Sequence, residues 1–366
     1  MTSLAAITAT PTRERSVTSY QARRRFRQGP IDPSAAAVVG VEDAIDIHCH
    51  AHDGAQDPLG LMKLASTSGM KAILFKSVVG GREDPAGSVR RLQSELNAWA
   101  DAKGVRPVQC WAGFSVARGY KTEVDPAFVR QRLESGCVAV WLPNITTANT
   151  LSVIGGNPAM WGESDDAGHH SGPLSWEKSL EVGQYALDDS GKLKPQMDEI
   201  IRMAVDHDAA LFLGHPSKPE LWAMAELCQS LGFKKAVVDH PFSPFVDLTV
   251  EECRQAAEAG LWLNFTYDEL SPLLGVDPAV MYQAIRTAGP AHCCLSSDAG
   301  DPLFPNSVES LRLLRGHMAA FGLTAEELYQ VSTTNPMVMV PEGEAPVMAV
   351  AAEKEAPPRQ TIRPAA

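Results

Sequence analysis

The 366-residue chain lacks the features that would tie it to a membrane, a nucleic acid or a disulfide scaffold. No apolar run approaches the roughly 18 residues that a membrane helix needs. There is no basic excess: 32 Lys and Arg face 44 Asp and Glu, for a net charge of −12. Nucleic acid and anionic membrane both require a basic face, so neither is an expected partner. Cysteine is sparse and odd in number, with seven scattered residues. Such a set reads as the reduced thiols of a cytoplasmic protein, and the absence of a CxxC pair removes a structural zinc site. The start also lacks the charged-then-apolar order of a secretory signal; its RRRFR patch (23–27) is read as part of a flexible or subunit-docking arm. What remains, 45% apolar and 21% charged, is the composition of a globular protein.

Between residues 42 and 340 one unit recurs: an amphipathic segment, a glycine, a short apolar run. STSGMKAILFKS (66–77), LESGCVAVWLPN (133–144), SLGFKKAVVDHP (230–241) and EAGLWLNFTY (258–267) show it. Glycine just past a helix permits the left-handed turn that ends it. Short runs of Val, Leu and Ile suit strands buried on both faces. Strands are predicted at 44–48, 72–76, 107–113, 138–143, 210–215, 236–240, 261–265 and 293–298. Helices are predicted at 86–103, 126–135, 195–207, 218–231, 249–259, 277–287 and 307–320. This alternation spells an α/β chain folded as one (β/α)8 TIM barrel over 42–340. A Gly/Ser/Asp-rich insertion at 144–194, with His169 and His170, reads as a lid or subunit contact. Residues 1–41 form the arm. The Pro-, Ala- and Glu-rich tail, 341–366, is not expected to order itself alone.

Catalytic groups in such barrels sit at the C-terminal ends of the strands. The first run ends in His48, with Cys49 and His50 beyond it. The second ends in Lys76, the fifth in His215, the sixth in His240 and the eighth in Asp298. Residues two apart on a strand share a face, so His48 and His50 can chelate one ion while Cys49 points away. Imidazole and carboxylate together suit zinc and similar ions. A lone histidine is usually a hydrogen-bonded core or surface residue. Four at equivalent strand ends, with an aspartate, point instead to a metal site.

DIHCH, GHP, DHP and LSSD, in that order, resemble the amidohydrolase superfamily of metal-dependent hydrolases over about residues 42–335. The resemblance implies a divalent metal held by His48, His50 and Asp298, and a second by His215 and His240. Zinc is expected, with manganese as the alternative. Many binuclear members bridge their ions with a lysine or glutamate from strand four, but VAVWLPN offers only Trp141 and Asn144. Lys76 on strand two is the substitute, carrying CO2 as a carbamate; without that bridge a single ion is expected. FKSVVGG also resembles a little-characterised branch that keeps a lysine there.

The implied activity is cleavage of an amide or cyclic amide of a small molecule, other than a peptide bond, by a metal-activated water. Asp298 would serve as general base and then acid, with His240 polarising the carbonyl. The alternatives are single-metal decarboxylation of an aromatic acid and lactone or ester hydrolysis. Arg82, in GGRED, could clasp a substrate carboxylate. Trp141 and Tyr267, with Trp111 and Phe265, could line an aromatic pocket. His52 and Asp53 could orient ligands. A homo-oligomer is expected.

Overall fold

The computed structural model describes residues 32, 34–35, 39–51, 56–78, 84–117, 119–158, 172–301 and 303–348. The elements run β1 (Ile45–Ala51), α1 (Pro58–Thr67), β2 (Ala72–Val78), α2 (Pro85–Lys103), β3 (Gln109–Ser115), α3 (Pro126–Glu134), β4 (Ala139–Trp141), α4 (Ala148–Ile154), α5 (Trp176–Val182) and α6 (Pro195–Asp206). They continue with β5 (Ala210–Phe212), α7 (Lys218–Ser230), β6 (Ala236–Asp239), α8 (Val250–Glu258), β7 (Trp262–Thr266), α9 (Tyr267–Leu270), α10 (Pro278–Ala288), β8 (Cys293–Ser296), α11 (Ser307–Phe321) and α12 (Ala325–Tyr329). The eight strands are parallel and neighbours in chain order. The ring closes where Asp298 N–H donates to the His48 carbonyl (2.8 Å) and His50 N–H to the Ala299 carbonyl (3.1 Å). This is the expected (β/α)8 barrel.

Local chemistry starts and stops the helices. The side chains of Asp84, Asp125 and Asp277 accept from first-turn N–H groups, and Pro85, Pro126 and Pro278 follow them. Gly104 ends α2 in the left-handed conformation, φ 67°. Strand side chains then alternate between two apolar layers. Ile47, Leu74, Trp141, Phe212 and Val237 fill the barrel. Ile73, Phe75, Val140, Leu211 and Phe265 pack outward against the helices. Each such side chain, once buried, contributes about 1.5–3 kcal/mol.

Short described parts of both flanks pack on the barrel. Residues 341–348 are ordered, because they pack on the barrel floor: Ala345 is buried, its N–H donates to Gln109 Oε1 (2.7 Å), and Met348 N–H donates to Ser94 Oγ (3.0 Å). Val41 is buried, and Asp32 N–H donates to the Ala320 carbonyl of α11, so this part of the arm docks on its own barrel. The described part of the insertion holds α4 and α5, and Tyr120, Leu151 and Val182 form a small core beside it. His52, Asp53, Arg82, His169 and His170 lie outside the described residues, as does the rest of the arm and tail. All seven cysteines are buried and unpaired. Among the described residues no helix is long and apolar enough to cross a membrane.

Candidate metal centre

Three backbone devices turn the histidines inward. In β1, Ile45 and Ile47 face the barrel interior but Cys49 and Ala51 face outward, although all four are two apart. A register shift against β2, between Asp46 and Cys49, accounts for the switch. This β-bulge brings His48 and His50 onto the inner face; bulges of this kind re-aim side chains beside sites. In β5, Ala210 and Phe212 face inward, so plain alternation would send residue 215 outward. Gly214, at φ 71°, reverses the chain there, and any side chain on it would collide with the Pro143 carbonyl. After β6, His240 itself takes φ 32°, and Asp298 after β8 takes φ 48°. Non-glycine residues held there are strained, and such strain gathers at functional positions.

The result is a compact cluster at the C-terminal mouth. His48 is fully buried, with Nε2 3.0 Å from Asp298 Oδ1 and Nδ1 3.2 Å from Asp239 Oδ1. Neither contact has hydrogen-bond geometry, so both ring nitrogens are buried without a hydrogen-bond partner. His50 Nε2 lies 3.1 Å from the same Asp298 Oδ1, and His240 Nε2 lies 3.9 Å from Oδ2. Ligand atoms of His48, His50 and Asp298 lie within 4.8 Å of one another, as do those of His48, Asp239 and His240. The His215 ring centroid is 5.0 Å from that of His240. Lys76 is buried on β2, and its charge is felt at His50, His215, His240 and Asp298.

Burial pushes His50 and His240 down to about 4, and His215 well below its ordinary value. All three imidazoles are therefore neutral at pH 7, the form in which imidazole binds a cation. Burial alone would raise Asp298, but His48, His50 and Lys76 outweigh it and hold the carboxyl well below the usual range. Asp239 is lowered in the same way, with His48 outweighing burial. Neutral imidazoles and ionised carboxylates converging at this spacing are the donor set that a divalent metal takes.

Several contributors escaped the sequence reading. Asp239 carries the inward alternation of β6 and is fixed by Trp141 Nε1 (2.9 Å) and Asn264 Nδ2 (2.8 Å). Trp141, expected at the substrate pocket, is fully enclosed and stacked on Phe212, 4.0 Å between centroids, where it braces Asp239. Trp111 also faces the barrel interior, while Phe265 lies in the outer layer. Tyr267, half-buried at the start of α9, does sit at the mouth, edge-on to Phe304. Phe245, from the loop after β6, stacks on His215 at 4.0 Å. Thr150, from α4, places Oγ1 3.0 Å from His215 Nδ1. Asp268 is pushed up to about 7 by burial and by the charge of Asp298.

Fold and site define a (β/α)8 barrel with a His/Asp cluster at its mouth. The chain belongs to a family of unknown function, DUF6282, whose profile matches residues 43–264. No curated protein sequence matches it. Among solved structures, an amidohydrolase from Pseudomonas aeruginosa is 13% identical, with a TM-score of 0.51 over 84% of this chain and 98% of that one. A probable dipeptidase from the same organism is 12% identical, with a TM-score of 0.48 over 86% of this chain and 99% of that one. The first likeness is one of fold.

Proposed function

We propose that the chain is a metal-dependent hydrolase that opens an amide or cyclic amide bond, other than a peptide bond, in a small molecule. One observation carries the reading: His48, His50 and His240 converge through Nε2 on the Asp298 carboxylate. His48, His50 and Asp298 would hold a divalent ion, zinc being favoured by these donors. Such an ion supplies Lewis-acid polarisation and makes a water acidic near neutral pH. Asp298, held ionised, takes the proton of the attacking water and delivers it to the leaving nitrogen. If only one ion is bound, His240, with Ser243 Oγ 3.0 Å from its Nδ1, presents Nε2 to the developing oxyanion. Lys76, as a carbamate, would join His215 and His240 in holding a second ion. Tyr267 at the mouth, and Arg82 on the strength of the sequence, are assigned to substrate contacts.

The test is a panel of N-acyl amines, lactams, lactones and aromatic acids turned over in ¹⁸O water. Label in the product is expected, with turnover lost in His48→Ala and Asp298→Asn while circular dichroism is unchanged. CO2 release without label would make the enzyme a lyase. Metal analysis should give about two ions per chain, falling to about one in Lys76→Ala. The same stoichiometry in both proteins would remove the carbamate.

A further inference from the structure

A second recess lies at the opposite end of the barrel from the histidine cluster. Ile45, Ala72 and Gln109 begin β1, β2 and β3, and with Trp111 they form its roof. Residues 337 and 340–343, from the strap that packs on the barrel floor, form its base. Its volume is about 260 Å³, and its lining is mostly apolar. Barrel interiors are normally filled by side chains, and an unfilled apolar space costs stability in proportion to its volume.

Two polar groups line it without an oxygen partner among the described residues. Trp111 is only 5% exposed, yet its indole N–H donates to no described residue, whereas those of Trp141 and Trp262 both find acceptors. Lys71, at the rim, has no ion pair among the described residues, and its Nζ rests 3.1 Å from Met337 Sδ. Glu342 is exposed on the strap beside the recess and does not pair with Lys71. Apolar recess, indole N–H and rim ammonium would all be served by one kind of molecule.

We propose that this recess is a binding site for a small carboxylic acid with an apolar body, its carboxylate at Lys71 and its body against Ile45 and Ala72, within reach of the Trp111 N–H. The volume falls just short of the roughly 300 Å³ where drug-sized pockets begin, so the ligand is of single-ring size. The site is separate from the histidine cluster, and it stands whether or not the proposed hydrolysis is correct.

Benzoate, benzyl alcohol and benzylamine serve as probes in titration calorimetry on the protein as purified. Benzoate should bind one to one and at least tenfold more tightly than benzyl alcohol. That margin should vanish in Lys71→Ala, a rim substitution that spares the fold. Ala72→Leu, which fills the recess, should abolish binding. His48→Ala should leave it intact, which separates this recess from a carboxylate bound at the mouth. If Ala72→Leu does not fold, Trp111→Phe replaces it, with at least a threefold loss expected. The proposal is overturned if benzoate gives no heat, if benzylamine binds as well as benzoate, or if His48→Ala abolishes binding while Lys71→Ala does not.

Discussion

His215 is aimed by a hydroxyl that arrives from the insertion. The Thr150 hydroxyl donates to the Asn144 carbonyl (3.0 Å), so its oxygen is left to accept from His215 Nδ1–H (3.0 Å). Thr147 adds a bond from its own hydroxyl to the His215 carbonyl (3.1 Å). The proton count fixes the Nδ1–H tautomer and leaves Nε2 bare for a cation. Thr150→Val should shift His215 to the Nε2–H tautomer, seen in imidazole ¹⁵N spectra, and weaken the proposed second ion about 10–100-fold. Thr150→Ser should restore both; an unchanged ¹⁵N spectrum in the valine variant would refute this role. Glu269 sets a pH limit. Burial pushes its carboxyl up to about 8, although the Thr266 and Phe242 N–H groups donate to it. A raised carboxyl favours the folded state below its unfolded pKa, and that advantage is lost as pH climbs through the folded value. The melting temperature should therefore fall between about pH 5 and 9, by a few kcal/mol equivalent at most, and Glu269→Gln should flatten that slope. His48, His50, His240 and Asp298 were legible in the sequence because each closes an apolar run. Thr150 was not, since its partner is 65 residues away.

At the scale of elements, the strand and helix positions followed from glycine punctuation and apolar runs, which are local signals. What stayed hidden was handedness of presentation. Strict alternation would have turned His48, His50 and His215 toward the helices, and only a bulge and a left-handed glycine bring them in. Asp239 follows plain alternation from Val237, so it was readable once the inner face of β6 was known. Gly214 carries the sharpest consequence. Gly214→Ala would strain φ 71° and press on the Pro143 carbonyl, a cost of about 1–3 kcal/mol. Thermal melts should show that loss, and metal analysis a weakening of the proposed second ion; a melt matching wild type would mean the turn tolerates a side chain. The short helices α4, α5, α9 and α12 were missed because runs of four to seven residues carry too little periodicity to stand out.

At the scale of the molecule, one closed sheet keeps its metal-ready groups at one end and a strap of the chain at the other. The barrel was legible because eight similar units repeat. The docking of residues 341–348 was not, because a Pro- and Glu-rich segment takes its order from the floor it lies on, through Gln109 and Ser94. The same enclosure governs the thiols. Every cysteine lies within the packed layers, and burial raises Cys137 to about 11 and Cys228 to about 12. Thiolate is the reactive form, so a dithionitrobenzoate assay should find no fast-reacting group in the native protein and all seven after denaturation. A lone cysteine introduced on an exposed helix would then be the sole handle for a fluorophore or spin label, with the native seven left in place.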